Sequence, residues 1–209
     1  MPLVEYMSKI KVCGVTDLGE ALLMESMGVN YLGFNFVKKS PRYISPESAA
    51  EIIQELSPNV CIVGVFQNQS FAEIYDVLKI CPVDLLQFHG EETPEFISQF
   101  TLPKIKVFSI ENTFDSKLII HFETVVDFFL FDSKVGADLG GTGRSFDWSQ
   151  IAKISTQVPF FLAGGIGVDN IENAAQSTQA FALDLNSKIE LAPGKKDLNL
   201  LQVCMEKIA

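Results

Sequence analysis

Eight short apolar runs divide this chain at nearly even intervals: Ile10–Cys13, Tyr31–Phe34, Ile62–Phe66, Leu85–Phe88, Ile105–Phe108, Phe128–Phe131, Phe160–Ala163 and Ala182–Leu185. The runs do not alternate apolar with polar residues, so each predicts a strand buried on both faces, as in a parallel sheet covered by helices. Helix starts fall between them. Ser45-Pro46-Glu47 puts a capping hydroxyl before a proline at the first helical position, and Thr93-Pro94-Glu95 repeats that pattern. Ser70 and Glu73 have the spacing of a capping box, and Asp169 with Glu172 resembles it. Asp197 can cap a last helix over Leu198–Ile208. Glu111–Glu123 has the weakest helical pattern of these connections. Eight strand–helix units in 209 residues leave about 26 residues per unit, which suits a (β/α)8 TIM barrel, a fold that reaches down to about 200 residues. An open doubly wound sheet is the rival architecture. The even repeat favours the barrel, as does the lack of a G-x-G-x-x-G after the first run. No linker or low-complexity tract interrupts the pattern, so residues 1–209 read as one α/β domain.

Composition limits the partners. The chain carries 26 acidic against 16 basic residues, a net charge of −10. Such a surface argues against nucleic acid and against anionic membranes. An anionic small-molecule substrate would need local groups that overcome this field. The four cysteines, Cys13, Cys61, Cys81 and Cys204, form no C-x-x-C pair. That is the pattern of a reduced, cytoplasmic protein. The residues Met1 to Ser8 lack the basic start and apolar stretch of a signal peptide, and no apolar run approaches a membrane span.

The residues that end or follow the runs carry the chemistry: Cys13, Asn35, Asn68, His89-Gly90, Ser109, Asp132-Ser133, Gly164-Gly165 and Asn186-Ser187. In a (β/α)8 barrel these positions converge on one rim, where active sites lie. Turns are polar in any protein, but turn chemistry alone does not call for a thiol, an imidazole, an acid and glycine pairs there. Cys13 and Asp132 end matching runs and suggest a base and an acid that face one pocket, although a buried strand cysteine is more often inert. Gly164-Gly165, before a helix, and Asn186-Ser187 follow the seventh and eighth runs, where barrels commonly seat phosphate. The bland alternative is a pair of tight turns. Lys38-Lys39-Ser40-Pro41-Arg42 is the one basic cluster at the rim. The fork of Arg42 suits a substrate carboxylate, whereas Lys38 reads as solvated. Gly140 to Trp148, with Gly141 and Gly143 inside it, predicts a flexible flap. Trp148 itself reads as a packing anchor. His89 and His121 are the only histidines, too few for a His-based metal site or a Ser–His–Asp triad, and no metal is expected. His121 reads as surface. His89 is balanced between a substrate contact and a packed strand end.

Together these motifs resemble the phosphoribosylanthranilate isomerase family of tryptophan biosynthesis. The resemblance runs from Lys11 to Asp197 and rests on Lys11–Thr16, Lys39–Ser45, Val63–Asn68, Gln87–Glu91, Leu130–Ser133, Gly140–Trp148, Leu162–Ile166, Asp184–Glu190 and Pro193–Asp197. Cys-Gly-Val-Thr, Ser-Pro-Arg-Tyr and Gly-Thr-Gly-Arg-Ser-Phe-Asp-Trp are its most specific parts. It implies an Amadori rearrangement of N-(5-phosphoribosyl)anthranilate without a cofactor, by a monomer or a homodimer. Cys13 falls on the family's general base and Asp132 on its general acid. Arg42 falls on the anthranilate-carboxylate contact. Asp184 falls on a sugar-hydroxyl contact and Gly164, Gly165, Asn186 and Ser187 in the phosphate loops, and Gln87 and His89 are expected to bind substrate. Lys188 stands where many members have glycine. Phe88 and Phe131 replace commoner leucines, which predicts volume changes inside the barrel. The chemistry asks for a Cys13 thiol lowered toward neutrality by cations such as Lys11, and for an Asp132 raised by burial. The rivals are a sister sugar-phosphate barrel and a non-catalytic barrel that only binds a phosphorylated ligand. The next enzyme of the pathway needs a catalytic lysine, which the run ends lack, and a histidine-pathway isomerase would place an aspartate where Cys13 stands.

Overall fold

The computed structural model describes residues 8–110, 116–133, 148, 151 and 154–208. Eight parallel strands follow one another around a closed barrel: β1 (Lys9–Cys13), β2 (Tyr31–Asn35), β3 (Cys61–Phe66), β4 (Leu85–Phe88), β5 (Lys104–Ile110), β6 (Phe128–Ser133), β7 (Phe160–Ala163) and β8 (Ala182–Leu185). Lys11 pairs with Tyr31 on one side and with Asp184 on the other, which closes the ring. Helices α1 (Leu18–Ser26), α2 (Pro46–Gln54), α3 (Phe71–Ile80), α4 (Pro94–Ile97) and α5 (Lys117–Ile120) follow the first five strands. α6 (Ile171–Thr178) follows β7, and α7 (Leu198–Ile208) ends the chain. After β8 come a 3-10 turn, Ser187–Ile189, and a small antiparallel hairpin of β9 (Glu190–Ala192) and β10 (Lys195–Lys196). No helix among the described residues is long and apolar enough to cross a membrane.

The helix starts are built as the sequence predicts. The Ser45 hydroxyl accepts from Ser48 N ahead of Pro46, and Thr93 accepts from Phe96 N ahead of Pro94. Ser70 and Glu73 close a reciprocal capping box, and Asp197 accepts from Asn199 N and Leu200 N. Two expectations are corrected. The N-cap position of α6 is Asn170 rather than Asp169, and the Asn170 side chain makes no bond to the helix: it accepts from Gly167 N and donates to Gly165 O, which fixes the preceding loop. Within Glu111–Glu123, the described part holds only the short helix α5, whose N-cap Ser116 makes no side-chain bond to the helix.

Strand side chains alternate between faces, and the register sorts them. Tyr31, Val63, Leu85, Ile105, Val107, Leu130, Phe161 and Ala182 fill the barrel interior. Val12, Leu32, Phe34, Phe66, Phe88, Phe129, Phe131 and Leu162 face outward and pack with the helices. Phe88 and Phe131 therefore enlarge the layer between barrel and helices, not the barrel interior as the sequence suggested. Phe88 meets Phe96 and Phe100 there, and Phe131 meets Phe160. Trp148 is 3% exposed and joins the same outer layer, the anchor expected of it.

Candidate active site

The alternation that buries Leu130 and Ala182 inside the barrel turns Asp132 and Asp184, two residues on, inward at the level of the rim. Cys13, Asn35, Val65, Gln87, Asp132, Ala163 and Asp184 line a cavity of about 280 Å³ at the C-terminal ends of the strands. Arg42, His89, Leu130, Gly164, Gly165, Ile166, Asn186, Ser187 and Lys188 complete the lining. All ten described residues expected at the site are thus brought to one cavity. Gly141 and Gly143 lie outside the described residues. Asn68 and Ser109 do not line the cavity. Ser109 faces solvent, and Asn68 is used in the β4 loop, where its side chain accepts from Glu91 N. Asp132 lies within β6 rather than beyond it, so the strand itself holds the carboxyl.

Cys13 is the last residue of β1 and is 7% exposed. Gly14 N and Val15 N both donate to Gly33 O, at 2.8 and 3.0 Å, which turns the chain sharply out of the barrel. Gly14 has φ +78°, and a Cβ there would lie 2.5 Å from Arg42 Cδ. Only glycine lets the stem of Arg42 pack on this turn. The guanidinium is then held by Glu190: Nε sits 2.8 and 3.1 Å from the two carboxylate oxygens, and Nη2 sits 2.6 Å from Oε2. Among the described residues Nη1 carries no hydrogen bond and remains for a ligand. Burial pushes Glu190 up, but hydrogen bonds from Arg42, Lys196 and Gly194 N outweigh it and hold the carboxyl at about 2. Lys38 is exposed, as expected.

Lys11 is fully buried one inward position below Cys13, and its Nζ donates to Asp184 Oδ2 at 2.8 Å. Burial pulls this ammonium down, but Asp184 and Cys13 more than offset it, so its pKa is raised and it stays charged. The thiol runs against the sequence expectation. Burial pushes the Cys13 pKa up, and Lys11 and Lys196 offset only part of that rise while the Asp184 charge adds to it. Desolvation of a thiolate outweighs the cations beside it.

Across the cavity, His89 Nε2 lies 3.9 Å from Asp132 Oδ2. His89 is set by its own N–H on Phe66 O at 2.8 Å, and its loop is fixed by Glu92, which accepts from Asn68 N and Gly90 N and pairs with buried Lys106 at 3.0 Å. Two buried acceptors on the lining, Gln87 Oε1 and Asp184 Oδ1, have no hydrogen-bond partner among the described residues. Buried acceptors of this kind are costly unless a ligand donates to them, and they suit a polyhydroxylated one. On the β7–β8 side Gly164 and Gly165 have φ +100° and +65°. The main-chain N–H groups of Gly165 and Ser187 meet no acceptor among the described residues. Main-chain donors left open ahead of a helix have the chemistry that suits an anion, and Lys188 lines the cavity beside them. Among the described non-glycine residues only Asn68 and Gln179 have positive φ, so Lys188 needs no glycine backbone where the family often has one.

Glu190 and Lys196 are contacts that the sequence reading left without a role, and Lys11 was read only as a neighbour of the thiol. A signal for Lys11 was present: Lys11 and Asp184 are opposite charges within two fully buried runs, and each needs a partner.

Comparison with known proteins agrees with this geometry. The family model described as N-(5'-phosphoribosyl)anthranilate (PRA) isomerase matches residues 10–207. The N-(5'-phosphoribosyl)anthranilate isomerase of Petrotoga mobilis is 39% identical over 202 residues, covering 97% of each chain. The phosphoribosyl anthranilate isomerase structure from Thermotoga maritima superposes with a TM-score of 0.86 at 34% identity, covering 97% of this chain and 98% of its own. A second isomerase structure, in complex with reduced 1-(o-carboxyphenylamino)-1-deoxyribulose 5-phosphate, gives a TM-score of 0.84 at 32% identity over 97% and 98% of the two chains. With a closed barrel and a family match that spans nearly its whole length, this chain belongs to the N-(5'-phosphoribosyl)anthranilate isomerase family.

Proposed function

We propose that this chain isomerises N-(5'-phosphoribosyl)anthranilate to 1-(2-carboxyphenylamino)-1-deoxyribulose 5-phosphate, with Asp132 as general acid and Cys13 as general base. The observation that carries the assignment is the meeting of a thiol from β1 and a carboxyl from β6 in one cavity. The two strands stand three apart around the closed ring, so the groups reach a bound pentose from different sides. The cradle at Gly164, Gly165 and Ser187, with Asn186 and Lys188 beside it, holds the phosphate. Gln87 Oε1 and Asp184 Oδ1 accept sugar hydroxyls, His89 contacts the sugar beside Asp132, and Arg42 Nη1 meets the anthranilate carboxylate.

Asp132 gives its proton to the furanose ring oxygen. The bond from that oxygen to C1 breaks as the anthranilate nitrogen lone pair forms a C1–N double bond, which leaves an iminium ion. Cys13, as thiolate, takes the proton from C2, and the electron pair neutralises the iminium as an enolamine. A proton then adds at C1 and the C2 hydroxyl loses its own, which gives the ketone. The raised thiol pKa gives this order a physical reason. Before ring opening, burial favours the neutral thiol. The iminium then adds a positive charge beside it, to those of Lys11 and Lys196, at the step that needs the thiolate. The test is the fluorescence of the substrate: it decays with the unaltered chain and persists with Cys13→Ser. Binding without turnover by the unaltered chain would reduce the protein to a phosphate-ligand-binding barrel.

A further inference from the structure

The β9–β10 hairpin carries a buried ion cluster that the acid–base scheme does not use. The Lys196 side chain is 0% exposed and that of Glu190 4%. Lys196 Nζ donates to three oxygens on three different segments: Cys13 O at 2.5 Å, Asn186 Oδ1 at 3.0 Å and Glu190 Oε1 at 2.7 Å. Glu190 passes the link on to Nε and Nη2 of Arg42. The hairpin is itself pinned to the start of α1 and the loop before it. Thr16 Oγ1 donates to Gly194 O at 2.6 Å, Gly194 N donates to Glu190 Oε1 at 3.1 Å, and Lys196 N donates to Glu20 Oε2 at 3.0 Å.

These bonds join the end of the strand that carries the base, the side chain that meets the carboxylate and the loop that meets the phosphate. A buried ammonium with three oxygen partners has little freedom, and removal of any partner leaves a charge or a carbonyl unsatisfied. Within the cluster the two cations Arg42 and Lys196 share the one carboxylate of Glu190, while Glu20 meets only the main-chain N of Lys196.

We infer that Lys196 and Glu190 are positioning residues of the isomerisation, which hold Arg42, Cys13 and the Asn186 loop at the spacing that lets both anionic ends of the substrate bind in register with the thiol. The inference rests on the acid–base assignment above and deepens it. Glu190 acts through Arg42, and Lys196 acts through the backbone of Cys13 and through Asn186. Lys196 is also one of the charged groups that surround the thiol, with Lys11 on β1, Asp184 on β8, Arg42 before α2, and Asp132 and His89 across the cavity.

The experiment compares Lys196→Met, Glu190→Gln and, as an exposed ion-pair control, Lys207→Met in steady-state turnover over a range of pH. Lys196→Met is expected to raise KM by about tenfold, the scale of a lost charge-assisted hydrogen bond. It is also expected to move the acid limb of kcat/KM to higher pH, because a cation that favours the thiolate is gone. Direct titration of the thiolate absorbance moves the same way. Glu190→Gln, nearly equal in size, is expected to raise KM several-fold with kcat little changed, and to have a smaller effect in an Arg42→Ala background, where only its bonds to Lys196 and Gly194 N remain. Lys207→Met leaves every parameter unchanged. A folded Lys196→Met with the original KM and pH limb would overturn the positioning role. If that variant does not fold, additive effects of Glu190→Gln and Arg42→Ala would overturn it instead. No turnover by the unaltered chain would end the assignment of function itself, which is a different outcome.

Discussion

The two ends of the barrel are built from the same eight strands and differ in almost everything else. At the base, the rings of Tyr31, Phe128, Phe161 and Phe181 pack with centroids 5.0–6.3 Å apart, and the Lys9 ammonium rests 4.8 Å from the centre of Phe181. A hollow of about 410 Å³ opens at this end, between the start of β1 and α7, with Lys9 and Glu206 as its charged groups. At the rim, two inward positions further along, the strands carry Cys13, Gln87, Asp132 and Asp184. Ion pairs, and acceptors with no partner among the described residues, take the place of rings. Burial at the base stabilises the fold, with aromatic pairs adding to the area term. Burial at the rim costs free energy, because it desolvates a thiol and leaves polar atoms unsatisfied. Depth along the strand therefore separates stability from chemistry, and substitutions at the two ends should separate in the same way.

The largest effects set the ends against each other. Cys13→Ser and Asp132→Asn should each lower kcat at least about a hundredfold, the lower range of a general acid–base contribution, with little change in KM or melting temperature. Phe161→Ala at the base should cost about 3–5 kcal/mol of stability and leave kcat per folded molecule intact, as denaturant unfolding and active-site titration would show. Loss of activity in proportion to loss of stability at both ends would erase the distinction. A smaller effect is expected at the edge of the site: Arg42→Ala should raise KM about tenfold with kcat held. An unchanged KM would place the carboxylate contact elsewhere. The pH profile sharpens the account of the rim. In the proposed scheme Cys13 must lose its proton to act, and burial raises its pKa. The acid limb of kcat/KM, which reports the free enzyme, should therefore lie above about 8.5, the ordinary thiol value. A limb near neutrality would contradict the burial argument. Smallest of all, Lys79→Ala removes an exposed ion pair with Asp76 on α3 and should change neither kinetics nor melting temperature.

The contrast also explains which parts of the molecule were readable in the chain. Strands buried on both faces announce themselves as apolar runs, and all eight were found. β5 and β6 run two residues further than their apolar runs because Ser109 pairs with Asp132 and Ile110 with Ser133, which continues the ladder. Caps such as Ser45 and Ser70 are local chemistry and were legible for that reason. Asp169 was a false cap because its neighbour Asn170 takes the N-cap position and its side chain bonds Gly165 and Gly167 of the preceding loop. Contacts distant in sequence left weaker traces. Lys11 and Asp184 are 173 positions apart and Arg42 and Glu190 are 148 apart, so no spacing rule links them. The direction of the Cys13 shift was misjudged because sequence shows a nearby lysine and does not show how completely the thiol is enclosed.

The most direct test is a crystal structure of this chain with reduced 1-(2-carboxyphenylamino)-1-deoxyribulose 5-phosphate bound. The account predicts phosphate on the N–H groups of Gly165 and Ser187, with Cys13 Sγ and an Asp132 carboxylate oxygen within hydrogen-bond reach of the sugar carbons and oxygens from different sides. A ligand seated in the cavity with either group out of reach of the sugar would contradict it.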